Sequence, residues 1–308
     1  MGVTLLRWGM AEYEHGPLVG LPPDVVEVLA TGPDAPLEAA DVLVVPSKAR
    51  VDAEVVRRLT RCRLVITTTS GHDHLDLVAL ARAGIVVSRL PHVRRDAVVE
   101  TALGMILGLT RRLGALQEAA VSGRWERARL VEHGATRIGT VAVVGVGVIG
   151  SHMCTVLRAL GATVLRVDPR LADGVPLAEA LSRANVVTLH CSLNPANLGM
   201  IGQAALATMR PGAVLVNTAR GKLVDVEAAV AAVRAGHLAG LGLDVFPAEP
   251  ADLARWAAPN VVLTPHAAGW HPRLGQDVAE GVAEAVRAIL AGMPVPHTLV
   301  PDSVEGEP

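Results

Sequence analysis

The residues best placed to do chemistry are a glycine run and three polar side chains, each at the end of an apolar segment. Thr140-Val-Ala-Val-Val-Gly145-Val-Gly147-Val-Ile-Gly150 reads as a strand entering a tight turn and then a helix. The first glycine permits the turn, the second lets the backbone approach a pyrophosphate, and the third lets the helix pack on the strand. The helix start, at Val148 and Ile149, offers unpaired N–H groups and partial positive charge to phosphates. Such a run is weak evidence alone, but here it has context. The next apolar segment, Thr163–Val167, ends in Asp168, near the ~20-residue spacing expected of an acid that binds ribose hydroxyls. That acid would repel a 2′-phosphate, so NAD is expected rather than NADP. Arg170, two residues on, could instead accept a 2′-phosphate.

Further along, Val214–Gly221 is an apolar strand closing on Thr218, Ala219 and Arg220. Leu241–Pro250 carries Asp244 and Glu249, and Val261–Gly269 ends on His266. Open α/β sheets bind ligands at the carboxyl ends of their strands. One histidine there is usually structural, but an arginine, a glutamate and a histidine on successive strand ends form a candidate site.

These positions need a sheet to hold them. Val42–Val45, Leu64–Thr68, Ile85–Ser88, Val141–Gly145, Thr163–Val167, Val186–Leu189, Ala213–Asn217 and Val261–Thr264 read as buried parallel strands. Helical patterns alternate with them, the signature of a doubly wound α/β fold. Ala97–Ser122 reads as one long connecting helix whose apolar face includes Val98, Ala102, Met105, Ile106, Leu109 and Leu113. A last apolar-periodic helix, Gln276–Leu290, is expected to return to the first block. A cofactor domain over 93–270 would then be inserted into a substrate domain made of 1–92 and 271–308. The Pro-rich tail after Pro294 is expected to fray.

Composition narrows the function classes. With 2% aromatic residues, Val, Leu, Ile and Ala must build the cores. A net charge of −2 points away from nucleic acid. No apolar run reaches the ~18 residues of a membrane span, and the first residues lack a charged lead-in with an apolar core. Cys62, Cys154 and Cys191 are too scattered for a disulfide framework or a zinc site, so no metal and a cytoplasmic location are expected.

Taken together, these motifs resemble the D-isomer-specific 2-hydroxyacid dehydrogenases, a family that includes phosphoglycerate, D-lactate, erythronate-4-phosphate and phosphite dehydrogenases. Ser70-Gly71-His-Asp73-His-Leu-Asp76, the glycine turn, Asn217–Gly221, Leu243–Pro250 and Thr264–His266 match in order across nearly the whole chain. The resemblance implies two doubly wound parallel-sheet domains, a Rossmann-type cofactor domain inserted into a flavodoxin-like substrate domain. It implies NAD-linked hydride transfer between a small D-2-hydroxy acid and its 2-keto acid.

The resemblance also implies residue roles. Arg220 would hold the substrate carboxylate and carbonyl oxygen, a task suited to a planar fork that stays charged. His266 would be the acid/base, since histidine titrates near ~6.5, and Glu249 would be the carboxylate that favours its imidazolium. Ser70 and Gly71 would cradle the substrate carboxylate. Gly145, Gly147, Val148, Ile149, Asp168, Cys191, Thr218, Ala219, Asp244, His266 and Gly269 would line the cofactor. Asp244 has a purely structural alternative. Lys48 and His72, with His271, could hold a second anionic group such as a phosphate, phosphonate or carboxylate, or Lys48 could simply be solvated.

The sequence departs from the family at Ser192, where a proline is usual, and near Asn194, where a threonine is usual. That loop lines the cofactor, so cofactor specificity stays open. Cys191 is not expected to be a nucleophile, because hydride transfer needs none. Related alternatives are an NAD-sensing corepressor-like binding protein and a phosphite oxidase. A homodimer through the Ala97–Ser122 helix is implied, unless the same face is buried within one chain.

Overall fold

The structure is a computed structural model that describes residues 2–9, 18–125 and 137–301. The chain divides into two compact units, Met1–Arg94 with His271–Pro308, and Arg95–Trp270.

Unit 1 is a parallel sheet of β1 (Val3–Trp8), β2 (Val25–Ala30), β3 (Val42–Val45), β4 (Leu64–Thr67) and β5 (Val86–Arg89) in the order β2-β1-β3-β4-β5, the flavodoxin-like arrangement. One face (Leu6, Leu43, Val45, Val65, Val87) buries against α1 (Ala53–Arg58) and α2 (Leu77–Arg82). Asp52 and Asp76 cap these helices by accepting first-turn N–H groups. The other face (Leu5, Val42, Val44, Leu64, Ile66) is covered by α9 (Leu274–Leu290) through Val278, Val282 and Val286. The final helix therefore does return to the first block.

Unit 2 is a six-stranded parallel sheet of β6 (Thr140–Val144), β7 (Thr163–Val167), β8 (Val186–Leu189), β9 (Ala213–Asn217), β10 (Leu238–Leu243) and β11 (Val261–Leu263). Its order, β11-β10-β9-β8-β6-β7, reverses direction between β6 and β8, and a switch point of this kind is where doubly wound sheets take ligands. Helices α3 (Arg95–Thr110) and α5 (Val148–Ala159) cover one face. Helices α6 (Leu177–Arg183), α7 (Gln203–Thr208) and α8 (Val226–Arg234) cover the other. α3 lies close because β10 is thin there: a Cβ at Gly240 or Gly242 would come within 3.0 Å of Leu109 or 3.1 Å of Met105.

Four features differ from the sequence reading. β1 was hidden because Arg7 interrupts its apolar run, yet Arg7 is only 1% exposed and pairs with Glu27 on β2. β2, a half-buried edge strand, gave little apolar signal. The long helix is two helices, because Arg112 takes a left-handed conformation (φ 52°) between α3 and α4 (Leu113–Val121). The described part of the tail, as far as Pro301, runs along β5 where fraying was expected: the Leu299 N–H donates to the Val87 carbonyl at 2.8 Å, and the Ser88 hydroxyl to the Pro296 carbonyl at 2.7 Å, while 302–308 lie outside the described residues.

Candidate active site

The glycine turn leaves β6 at the switch point. Gly145 has φ +86°, and a Cβ there would sit 2.4 Å from the Cys191 backbone. A Cβ at Gly150 would lie 1.9 Å from the Gly145 carbonyl oxygen. Gly147 differs: a Cβ there meets nothing within 4 Å, so its backbone faces open space. Gly147 is also the N-cap of α5 and provides no side-chain cap, leaving the N–H groups beside Val148 and Ile149 for an anion. Burial pushes the Cys191 thiol up to about 11, which suits packing behind the turn rather than nucleophilic work.

Asp168 follows β7 and is 6% exposed. Its Oδ2 accepts the Val146 N–H at 2.9 Å, which ties the acid to the glycine turn. Arg170 adds a side-chain fork, and that hydrogen bonding holds the carboxyl down to about 2 against the opposing effect of burial. Just past the end of β9, the Thr218 hydroxyl is buried with no hydrogen-bond partner. The open backbone at Gly147, the uncapped helix start, the orphaned Thr218 hydroxyl and the buried acid are together what a dinucleotide would use.

Asn217, fully buried at the end of β9, shapes the loop that carries Arg220. Its Oδ1 accepts the Ala219 N–H at 3.0 Å and its Nδ2 donates to the Arg220 carbonyl at 2.8 Å. Gly221 then lies directly on the next strand's extension, where a Cβ would be 1.9 Å from the Phe246 carbonyl carbon. Below it Phe246 stacks on Trp256 at 5.1 Å between ring centroids. The Phe246 N–H donates to Glu249 Oε1 at 3.0 Å, and His266 Nδ1 lies 2.6 Å from Glu249 Oε2. A carboxylate at that nitrogen assigns the proton to Nδ1 and leaves Nε2 for a substrate. Burial pulls the Glu249 pKa up. The hydrogen bonds from His266 and Phe246, with the charges of His266 and Arg220, outweigh it and hold the group below its ordinary value.

His266 has φ +55°, a conformation that costs about 1–3 kcal/mol outside glycine and persists only where surroundings over-determine it. Asp244, 1% exposed, provides that restraint. Its carboxylate accepts from the Thr264 hydroxyl (2.6 Å), Ala267 N–H (2.8 Å) and Ala268 N–H (3.0 Å), and its carbonyl accepts the His266 N–H at 2.8 Å. Gly269, also buried, follows this loop. Asn217, Phe246 and Thr264 were absent from the sequence-derived site. Only Asn217 left a signal, an Asx residue at a strand end.

In unit 1, the Ser70 carbonyl accepts from Arg89 at 3.1 Å and the Gly71 carbonyl from Thr69 at 2.9 Å, which restrains the loop that carries them. His72 is half-buried and Lys48 exposed. His271 Nε2 lies 2.9 Å from the Val93 carbonyl.

His190 follows β8 with Nε2 2.9 Å from the Thr188 hydroxyl, and burial pushes its pKa down to about 4. The unfolded chain then binds more protons than the folded one between roughly pH 6.5 and 4, so stability falls as pH drops through that window. His190→Gln is expected to flatten this fall, read from denaturant midpoints at about pH 4.5 and about pH 7.5.

Comparison with known proteins gives a family match. The model of the family "D-isomer specific 2-hydroxyacid dehydrogenase, NAD binding domain" matches residues 103–268. A glyoxylate reductase of Thermococcus gammatolerans is 33% identical over 276 residues, covering 84% of this chain and 82% of that protein. A D-3-phosphoglycerate dehydrogenase of Mycobacterium leprae is 34% identical over 92% of this chain but 53% of its own length, so the chain spans about half of that relative. The crystal structure of D-lactate dehydrogenase from Aquifex aeolicus, complexed with NAD and lactic acid, superposes with a TM-score of 0.80 at 25% identity over 94% of this chain and 96% of that one. The chain belongs to the D-isomer-specific 2-hydroxyacid dehydrogenase family. Among the described residues no helix is long and apolar enough to cross a membrane, and no His, Cys, Asp and Glu cluster is placed to hold a metal ion.

Proposed function

We propose that the protein interconverts a small D-2-hydroxy acid and its 2-keto acid with NAD. The observation that carries this reading is the 2.6 Å His266–Glu249 pair, close enough to Arg220 for its charge to act on Glu249. In reduction, Arg220 binds the carboxylate and polarises the carbonyl. His266 donates the proton from Nε2 to the carbonyl oxygen, and Glu249 stabilises the imidazolium beforehand. In oxidation His266 takes that proton back. The nicotinamide, when bound, supplies or accepts the hydride. Gly145, Gly147, the start of α5, Asp168, Thr218 and Ala219 hold the dinucleotide. Asp244 serves the catalytic loop, since its carboxylate is already occupied by it.

We place the substrate carboxylate on Ser70 and Gly71, and a second anionic group, where the substrate has one, on Lys48 and His72. The three free cysteines fit a reducing cytoplasm. Exposed Leu113, Val121 and Trp125 at and beyond α4 support a homodimer, which sedimentation would reveal.

The test is NADH depletion over glyoxylate, pyruvate, and branched, phosphorylated and phosphono 2-keto acids, with phosphite-dependent NADH formation as a separate arm. Turnover of at least one 2-keto acid is expected. NADH binding with no turnover of any would make the chain a binding protein instead. With the best substrate, Arg220→Lys is expected to raise KM about tenfold or more, because an ammonium cannot form the planar bidentate contact.

A further inference from the structure

The chain holds one phenylalanine and four tryptophans, and the phenylalanine lies on one of those tryptophans next to Glu249. Phe246 and Trp256 are each 6% exposed, and their rings stack 4° from parallel with centroids 5.1 Å apart. The stack holds the Phe246 side chain, while the Phe246 N–H donates to Glu249 Oε1 at 3.0 Å. The other oxygen of that carboxylate, Oε2, lies 2.6 Å from His266 Nδ1. A shift of the Phe246 ring is therefore passed to the imidazole through two hydrogen bonds on one carboxylate.

Trp256 closes a short helical turn, Leu253–Trp256, that Asp252 caps. Its indole is itself clamped. The Nε1–H donates to Glu227 Oε1 at 3.0 Å, Arg255 pairs with the same oxygen, and the Arg255 guanidinium carbon lies 5.0 Å from the indole centroid. Glu227 stands in the first turn of α8, whose start is capped by Asp225. A buried indole with its N–H satisfied and a cation over its ring is held in one orientation. Filling space alone needs none of this, and leucine, valine and alanine fill most of the surrounding core.

We propose that Trp256 is a positioning residue for proton transfer: clamped by Glu227 and stacked on Phe246, it fixes where Glu249 meets His266. This rests on reading His266 and Glu249 as the acid/base pair. Arg220 has its own anchor, since Asn217 Nδ2 donates to its carbonyl at 2.8 Å. The effect of Trp256 therefore falls on the chemical step and not on substrate binding.

The experiment measures kcat and KM for the best 2-keto acid, with the NADH dissociation constant, in the unaltered full-length chain, Trp256→Leu, Trp256→Phe and Glu227→Ala. It then repeats Trp256→Leu in a His266→Ala background. Trp256→Leu keeps an apolar side chain without the stack. It should lower kcat about tenfold, a part of the roughly 10²-fold that a 1 Å misplacement can cost, with KM and NADH affinity little changed. Trp256→Phe should restore most of the rate, because a second ring can stack on Phe246. Glu227, with its side chain 63% exposed, can be truncated without opening the core. Glu227→Ala should lower kcat about threefold, as for one lost hydrogen bond. In the His266→Ala background Trp256→Leu should lower the rate no further, because groups that act as one unit are not additive. An equal fall in both backgrounds, a loss carried by KM, or full kcat in both Trp256→Leu and Glu227→Ala overturns the positioning role while the acid/base pair stands. A His266→Ala variant at full rate removes the pair, and the positioning role goes with it.

Discussion

His266→Ala is expected to lower kcat by about 10²–10⁴-fold, the usual contribution of a positioned acid/base. The imidazole is the one group in the site with both a carboxylate on its Nδ1 and a second ring nitrogen left for proton transfer. Its backbone is held by the Asp244 carbonyl rather than by its own ring, so the truncated loop should keep its path. NADH affinity should change little, and that constant separates lost chemistry from lost folding. A variant that turns over at the full rate would falsify the acid/base assignment.

Gly221→Ala should cost as much by a different route. The added methyl would lie 1.9 Å from the Phe246 carbonyl carbon and 2.1 Å from its oxygen. Both are backbone atoms that no rotamer change can move. The Arg220 loop and the Phe246–Glu249 segment must separate, and the Phe246 N–H that steadies Glu249 moves with them. A misplacement of about 1 Å at a catalytic group can cost about 10²-fold in rate, and overpacking typically costs about 1–3 kcal/mol of stability. The paired readouts are kcat/KM and the thermal midpoint. Unchanged values of both would show that this close approach does not govern the site.

Much of this was legible in the sequence because the site depends on residues with narrow physical uses. The glycine turn could be read since each glycine meets its own requirement: one turn, one open backbone and one helix contact. Arg220, Glu249 and His266 could be read because buried apolar strands end on them. Conformations that side chains choose in three dimensions were not legible. Nothing in Asp168-Pro-Arg170 says that the arginine folds back over the acid, and nothing around His266 announces a left-handed backbone. Arg7 misled in the opposite sense, since a charged residue reads as surface until Glu27 is seen beside it. The helix break at Arg112 needs no glycine or proline, so no residue marked it.

The discontinuity of unit 1 bears on how the chain is made. Unit 2 is one unbroken stretch, so it can fold as soon as it leaves the ribosome, as domains generally do during synthesis. Unit 1 cannot. Its sheet is complete by Arg89, yet Leu5, Val44 and Ile66 on one face wait for α9, which starts only at Leu274. At about 5–20 residues per second, that apolar face stays uncovered for roughly ten seconds or more. By the end of that interval the nascent protein carries a finished domain and a half-clad one, and the second is where chaperones or aggregation would act.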